Sequence, residues 1–158
     1  MSDPTALAYL AGVVDSDGYI TAAVTKYKGR KFFGASVGIA GTRREPHDLA
    51  ASLFGGNVRI YFPRGSRQHH RPQFQWQRYG RSALPMLLAI RPFLRVKSEQ
   101  ADLAIELEEM ADEARDMRSQ DDPYPWFGPN FDPLAAIGCQ AADIRALNLR
   151  GNGMAVTA

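Results

Sequence analysis

The 158-residue chain is short of several things, and each shortage closes off a class of protein. A single cysteine, Cys139, cannot form an internal disulfide, so a reducing intracellular setting is expected. Cys139 falls in an apolar helical pattern and reads as a small core residue. No stretch approaches the roughly 18 uninterrupted apolar residues that cross a bilayer, and no basic segment leads into an apolar one near residue 1. Neither a membrane partner nor a secretion signal is therefore expected. His47, His69, His70 and Cys139 lack the spacing of zinc ligands. No internal repeat is visible, and the length suits one domain with a real hydrophobic core.

The most telling shortage is of acid. Residues 18–44 and 49–98 contain no Asp or Glu at all. Residues 1–98 hold 15 Lys and Arg against 5 Asp and Glu, while residues 99–158 hold 4 against 12. The formal net charge of +2 thus hides a basic part and an acidic part. Chance grouping of solvated charges would produce the same counts, but the basic part is also where strand-like segments alternate with Gln, Tyr and His. That combination predicts a basic working surface for a polyanion, with the acidic remainder turned away.

What is present alternates between helix and strand. Asp3-Pro4 is an N-cap with proline at the first helical position, and it opens a helix through Leu7, Leu10, Val13 and Val14 that stops near Asp15 to Gly18. Tyr19–Tyr27 and Phe32–Ala40 read as strands joined by the polar turn Lys28-Gly29-Arg30-Lys31. A helix over Glu45–Phe54 ends at Gly55-Gly56. A second strand pair, Asn57–Pro63 and Gln73–Tyr79, flanks the basic connection Arg64–Pro72. Ala83–Ile90 is a short helix closed by Arg91-Pro92, and Ser98–Met117 a longer one with Leu103, Leu107, Met110, Ala114 and Met117 on one stripe. After a Pro/Gly/aromatic loop over Ser119–Asn130, Asp132-Pro133 opens a last helix through Leu147, and the Gly-rich tail after Arg150 is expected to fray. The order predicts an α+β domain with an antiparallel sheet.

The chemistry concentrates in Leu10-Ala11-Gly12-Val13-Val14-Asp15-Ser16-Asp17-Gly18. Asp-x-Asp-Gly alone is an ordinary helix end, and an EF-hand loop would need an oxygen ligand at position 19 and Gly at 20, where the chain has Tyr19 and Ile20. The complete nonapeptide, placed at the end of the first helix and just before a strand, resembles the signature of the LAGLIDADG homing endonucleases. Leu53-Phe54-Gly55-Gly56-Asn57-Val58 is similar to that family's junction between helix and third strand. Arg91-Pro92-Phe93-Leu94-Arg95-Val96-Lys97-Ser98-Glu99-Gln100-Ala101 is similar to its Pro-Phe-Leu-x-x-Lys-x-x-Gln segment.

The resemblance covers roughly residues 5–117. It implies an αββαββα core over residues 1–118, with a saddle-shaped antiparallel sheet, followed by a C-terminal loop and helix over 119–158 packed on the same domain. It further implies that Asp17 is a metal ligand and catalytic, with the backbone carbonyl of Ser16 as an additional ligand and Mg2+ or Mn2+ as cofactor. Asp15 is left open between a structural role at the helix end and a catalytic one. Lys97 is implied as a basic catalytic group at the edge of the site, where a cation can stabilise the transition state or organise water. Small residues Ala8, Ala11 and Gly12 would let two such helices meet backbone to backbone in a homodimer. One position departs from the pattern: the Gln near the end of the second strand is here Gly41, with Arg43 or Arg44 as possible replacements.

Alternation along the strands assigns a face for reading double-stranded DNA. Gln73, Gln75 and Gln77 would face the groove while Phe74 and Trp76 face the core. Asn57, Arg59 and Tyr61 would do so on the third strand, and Thr21, Ala23, Thr25 and Tyr27 on the first. Gln and Arg can pair bidentately with adenine and guanine edges in the major groove. Lys26, Lys28, Arg30, Lys31, Arg64, Arg67 and Arg71, in turns and at strand ends, suit phosphates and backbone positioning, and Arg43 is a further DNA-binding candidate. The expectation is a homodimeric, metal-dependent, site-specific endonuclease cutting a pseudo-palindromic site, as in the mobility of an intron or intein. A catalytically silent DNA-binding regulator of the same fold and an RNA-binding maturase stand as alternatives.

Overall fold

The computed structural model describes residues 3–27, 30–65, 69–119 and 133–153. The elements run α1 (Pro4–Asp17), β1 (Gly18–Tyr27), β2 (Arg30–Gly41), α2 (Glu45–Phe54), β3 (Arg59–Tyr61), β4 (Gln73–Tyr79), α3 (Leu84–Ile90), α4 (Ser98–Ser119) and α5 (Pro133–Gly153). The four strands form one antiparallel sheet in the order β1-β2-β4-β3. This is the α+β arrangement expected from the sequence, the last helix after Asp132-Pro133 included.

The start and end of α1 follow from local chemistry. The Asp3 side chain accepts from the Thr5 amide at 3.0 Å and Pro4 occupies the first turn, where no amide donor is needed. At the other end the Gly18 amide returns to the Val13 and Val14 carbonyls. There is no room at Gly18 for a side chain: a Cβ would lie 2.7 Å from the Val14 Cα and 2.8 Å from the Gly38 carbonyl oxygen. The chain can turn from helix directly into strand only because this residue is glycine.

Helices cover one face of the sheet. Ile20, Ala22, Ala35, Val37, Ile39 and Trp76 point into them and meet Leu10 and Val14 of α1, Met86, Leu87 and Ile90 of α3, and Leu107 of α4. Each large aliphatic side chain so buried contributes about 1.5–3 kcal/mol. The Trp76 indole also donates to the Gly55 carbonyl at 2.9 Å, tying β4 to the end of α2. There Gly55 and Gly56 take φ of 70° and 88°, the left-handed conformation that the Gly pair admits.

Three departures from the sequence reading have physical causes. Strand β3 spans only three residues, and Ile60 and Phe62, expected to face the core, are 47% and 63% exposed. This edge strand extends past the helical layer, so its alternation has nothing to bury against. On α4 the buried stripe is Ala101, Ala104, Leu107, Ala111 and Ala114, while Leu103 and Met110 are only half-buried. Alanines win that face because α4 is pressed between the sheet and α5, and short side chains permit the approach. Met117's side chain lies outside the described residues. Finally, α5 continues past Leu147 to Gly153, taking in Arg150 and the start of the tail expected to fray.

Helix α5 packs on the same unit through Ile137, Ala141 and Ile144, whereas Cys139, read above as a core residue, lies on the exposed side of the helix. The helix also closes the free edge of β1. Arg145 donates from Nε and one terminal nitrogen to the Ala22 carbonyl, both at 3.1 Å, and Asn148 donates to the Ile20 carbonyl at 2.9 Å. Edge carbonyls that would otherwise pair with a foreign strand are thereby satisfied. Buried Glu108 of α4 performs a related service for β2, accepting from the Ala35 amide at 2.6 Å, one residue beyond the last β2–β4 pair at Ser36 and Tyr79.

Candidate functional site

The two carboxylates at the end of α1 have different surroundings. Asp15 is half-buried and accepts three backbone amides: Arg95 at 2.7 Å, Val96 at 3.2 Å and Lys97 at 2.9 Å. Partial burial pushes its pKa up, but the amides of Arg95, Lys97 and Val96, with the Lys97 charge, outweigh this and hold it below the ordinary carboxylate value. Asp17, two residues on, is exposed, and the neighbouring Ser16 hydroxyl reaches it over a long 3.4 Å. The Ser16 hydroxyl also approaches the Val13 carbonyl at 3.2 Å. Asp15 is therefore built into the fold, and Asp17 is available to something outside it.

Lys97 is brought to this place, as the sequence motif implied. Its ammonium donates to the Val14 carbonyl at 2.7 Å and the Asp15 carbonyl at 2.6 Å, so it caps the C-terminus of α1. Partial desolvation lowers its pKa, an effect that Asp15 and Asp17 oppose. A cleft of about 510 Å³ opens beside it, bordered by Tyr19, Thr21, Gln100 and, from α5, Asn148.

The outer face of α1 carries Thr5, Ala8, Tyr9, Gly12 and Ser16, all exposed. A Cβ on Gly12 would meet nothing within 4 Å. Ala8 and Gly12 thus lie on an open helix face as expected. Ala11 does not: it is 0% exposed and packs in the chain's own core, because a residue one position before Gly12 lies about 100° around the helix. Its assignment to a dimer contact is corrected accordingly.

On the sheet face away from the helices, Gln73, Gln75 and Gln77 are exposed, Trp76 between them is fully buried and Phe74 half-buried. Arg59 and Tyr61 are exposed, with Arg59 paired to Gln75 and Tyr61 to Gln73 across the β3–β4 ladder. Thr25 is exposed and Thr21 half-buried on the same side of β1. Arg43 and Arg64 are exposed in the connections, as are Asn57 and Arg71. Lys28 and Arg67 lie outside the described residues, as do the side chains of Tyr27, Arg30 and Lys31. Arg44 makes an exposed ion pair with Asp48 at 3.0 Å, a contact worth little in water.

Two tyrosines lie across this face over glycines of β2. Tyr19 crosses Gly38, where a Cβ would meet its ring at 2.6 Å, and donates to Gln77 Oε1 at 2.9 Å. Tyr79 crosses Gly34, where a Cβ would approach its ring at 3.0 Å, and its hydroxyl lies 3.1 Å from that of Thr25. Neither tyrosine was singled out from the sequence. Tyr19 has the same parity as Thr21 and Thr25, so the signal was present; the pairing with glycine was not, because it depends on strand register.

Near Gly41, His47 is buried and its Nδ1 donates to the Arg43 carbonyl at 2.8 Å, leaving Nε2 without a partner among the described residues. Gly41 leaves only ordinary contact distance, 3.8 Å, between a would-be Cβ and the His47 ring. No cluster of three or more His, Cys, Asp or Glu able to hold a metal occurs among the described residues. The donor set of Asp17 still fits a hard cation, since Mg2+ takes one or two carboxylates and completes its shell with water and substrate phosphates. No helix among the described residues is long and apolar enough to cross a membrane.

A four-stranded antiparallel sheet backed by helices, entered through α1, is a fold shared with solved endonuclease structures. No protein-family model matches the sequence, and no curated protein matches it. Among solved structures, the homing endonuclease I-CvuI in complex with its target in the presence of Ca superposes with a TM-score of 0.65 at 20% identity, over 91% of this chain and 82% of that one. The archaeal intron-encoded homing endonuclease I-Vdi141I complexed with DNA gives 0.54 at 11% identity, over 94% and 99%. The LAGLIDADG homing endonuclease I-GzeII in complex with a DNA target gives 0.56 at 10% identity, over 92% of this chain but 44% of that one. The fold is that of the LAGLIDADG homing endonucleases.

Proposed function

We propose that this protein is a sequence-specific, double-stranded DNA endonuclease of the LAGLIDADG type, acting as a homodimer with a divalent metal, Mg2+ or Mn2+. The observation that carries the reading is the state of Asp17: an exposed carboxylate without structural duty, at the end of a helix whose small-residue face is open, next to a sheet face free of acid. One chain offers one such carboxylate, and a second copy meeting it along Ala8 and Gly12 would supply the other.

In this reading Asp17 and the Ser16 carbonyl hold the metal, which when bound neutralises phosphate charge and promotes water as nucleophile. Asp15 fixes the segment 95–97 against α1 and so positions Lys97. The Lys97 ammonium, engaged with two carbonyls, contributes positive charge beside the scissile phosphate rather than a mobile proton. The strands read base edges, and the connections meet phosphates.

A silent DNA-binding protein is the second reading, favoured by the engagement of Lys97 and by Gly41 where the family pattern has Gln. Selecting bound duplexes from a random pool, then testing nicking of supercoiled plasmid carrying the selected site, separates the two. Nicking with Mg2+ that stops with EDTA supports the endonuclease; tight binding with no nicking in Mg2+ or Mn2+ supports the silent binder.

A further inference from the structure

We infer that Tyr19 is a positioning residue that orients the Gln77 amide and so sets which base is read at one position of each half-site. The inference rests on the DNA-reading function proposed above. A glutamine on an exposed sheet face ordinarily samples several rotamers, and its amide can present oxygen or nitrogen to a base edge. Here it is held. The Tyr19 hydroxyl donates to Gln77 Oε1 at 2.9 Å, and the tyrosine itself has little freedom to move.

That restraint comes from β2. Tyr19 and Gln77 both pair with Gly38, one from β1 and the other from β4, so the ring must cross β2 to reach the amide. The crossing exists because position 38 has no side chain: a Cβ there would sit 2.6 Å from the tyrosine Cζ and Oη. The ring lies in a slot that only glycine leaves. Placed against the neighbouring strand in this way, the hydroxyl fixes the amide at little further entropic cost.

With the oxygen engaged by a phenol, Nε2 is the part of the Gln77 amide without a partner among the described residues. It offers donors to the groove. Guanine answers this best, presenting N7 and O6 acceptors side by side on its major-groove edge, whereas adenine beside its N7 acceptor presents a donor. Freeing the amide restores its choice of face and admits adenine, whose bidentate contact uses both amide atoms.

The experiment begins with wild-type protein and a random duplex pool. If no duplex is enriched, the DNA-reading function is wrong and this inference falls with it. If a motif is enriched, affinities are measured for all single-base variants of it with wild type, Tyr19→Phe, Gln77→Ala and the double variant, each checked by thermal melting. Wild type should prefer guanine at one position per half-site by about tenfold or more. Tyr19→Phe should reduce that preference, mainly by improving adenine, at the same position that Gln77→Ala flattens, and should add nothing on the Gln77→Ala background. Gly38→Ala, which displaces the ring, should reproduce the Tyr19→Phe profile. A Tyr19→Phe profile that is unchanged, uniformly weaker at every position, or altered at a position other than that of Gln77 overturns the inference. So does wild-type preference for adenine or a pyrimidine there.

Discussion

Asp15 and Lys97 hold each other through the backbone: the Asp15 carboxylate accepts the Lys97 amide at 2.9 Å, and the Lys97 ammonium donates to the Asp15 carbonyl at 2.6 Å. Each side chain thus satisfies polar groups that the other's chain segment leaves open, one before α4 and one at the end of α1. The latch joins residues 82 positions apart and fixes the two segments that border Asp17.

Removing this carboxylate should therefore cost stability first. Asp15→Ala leaves three amides without their acceptor, and charged hydrogen bonds of this kind contribute about 1.5–3 kcal/mol. The pH dependence has a definite sign. Native contacts lower the Asp15 pKa, so its stabilisation is complete above the unfolded value near 3.8 and fades as pH falls through the lower folded value. Denaturant midpoints of wild type and Asp15→Asn should converge as the medium is acidified below about pH 4. A constant gap down to pH 2 would show that the Asp15 charge plays no part.

Asp17→Asn should behave in the opposite way. The group is exposed, and among the described residues its hydrogen bond is a long one with Ser16, so folding should be unaffected within about 0.5 kcal/mol. Cleavage should vanish while affinity for the selected duplex stays within a few-fold, since the change removes a metal-binding charge and preserves shape. Equal nicking rates for variant and wild type in Mg2+ would exclude Asp17 from catalysis.

How far the sequence carries is visible at these same residues. Asp15 and Asp17 were legible through the nonapeptide and Lys97 through the likeness of residues 91–101 to the family's Pro-Phe-Leu segment, and the structure brings the three together. The nonapeptide could not divide the labour between the two aspartates, which depends on where the amides of 95–97 come to rest. Strict alternation placed Gln73, Gln75, Gln77 and buried Trp76 on opposite faces of β4, a strand covered by helices at Trp76. The same rule failed for Ile60 and Phe62, because period two reports burial only where a layer lies beneath. Ala11 was misplaced for a related reason: small size signals close approach without saying on which side of the helix. The tie between α5 and the β1 edge was invisible, as Arg145 and Asn148 reach carbonyls that no sequence pattern marks.

Gly12→Leu separates assembly from folding. Within one chain a side chain at this position meets open space, and replacing glycine inside a helix favours the helix by about 0.5–1 kcal/mol. The variant monomer should be at least as stable as wild type. If two α1 helices meet along Ala8 and Gly12, the bulky side chain should hold them apart, giving a monomer in sedimentation and no double-strand cleavage. An intact, active dimer would move the interface elsewhere.

Arg59 and Gln75 are expected to read bases, while Arg64 is expected to meet phosphate. The first two face each other across the β3–β4 ladder, both exposed on the face away from the helices, and each strand alternates such residues with others on the opposite side. Arg64 lies past the end of β3, exposed in the connection where no fixed register aims it at a base edge. Replacing a base-reading residue by Ala should cost about 1–3 kcal/mol on the preferred site and relax specificity at one position per half-site. Replacing Arg64 should weaken binding to every duplex by a similar factor and make the slope of affinity against salt shallower by about one counterion per subunit. The measurement is affinity over a panel of single-base site variants at several salt concentrations. Uniform weakening by Arg59→Ala across that panel would mean that β3 tracks the backbone, and that the four exposed residues Arg59, Tyr61, Gln73 and Gln75 do not form one reading surface.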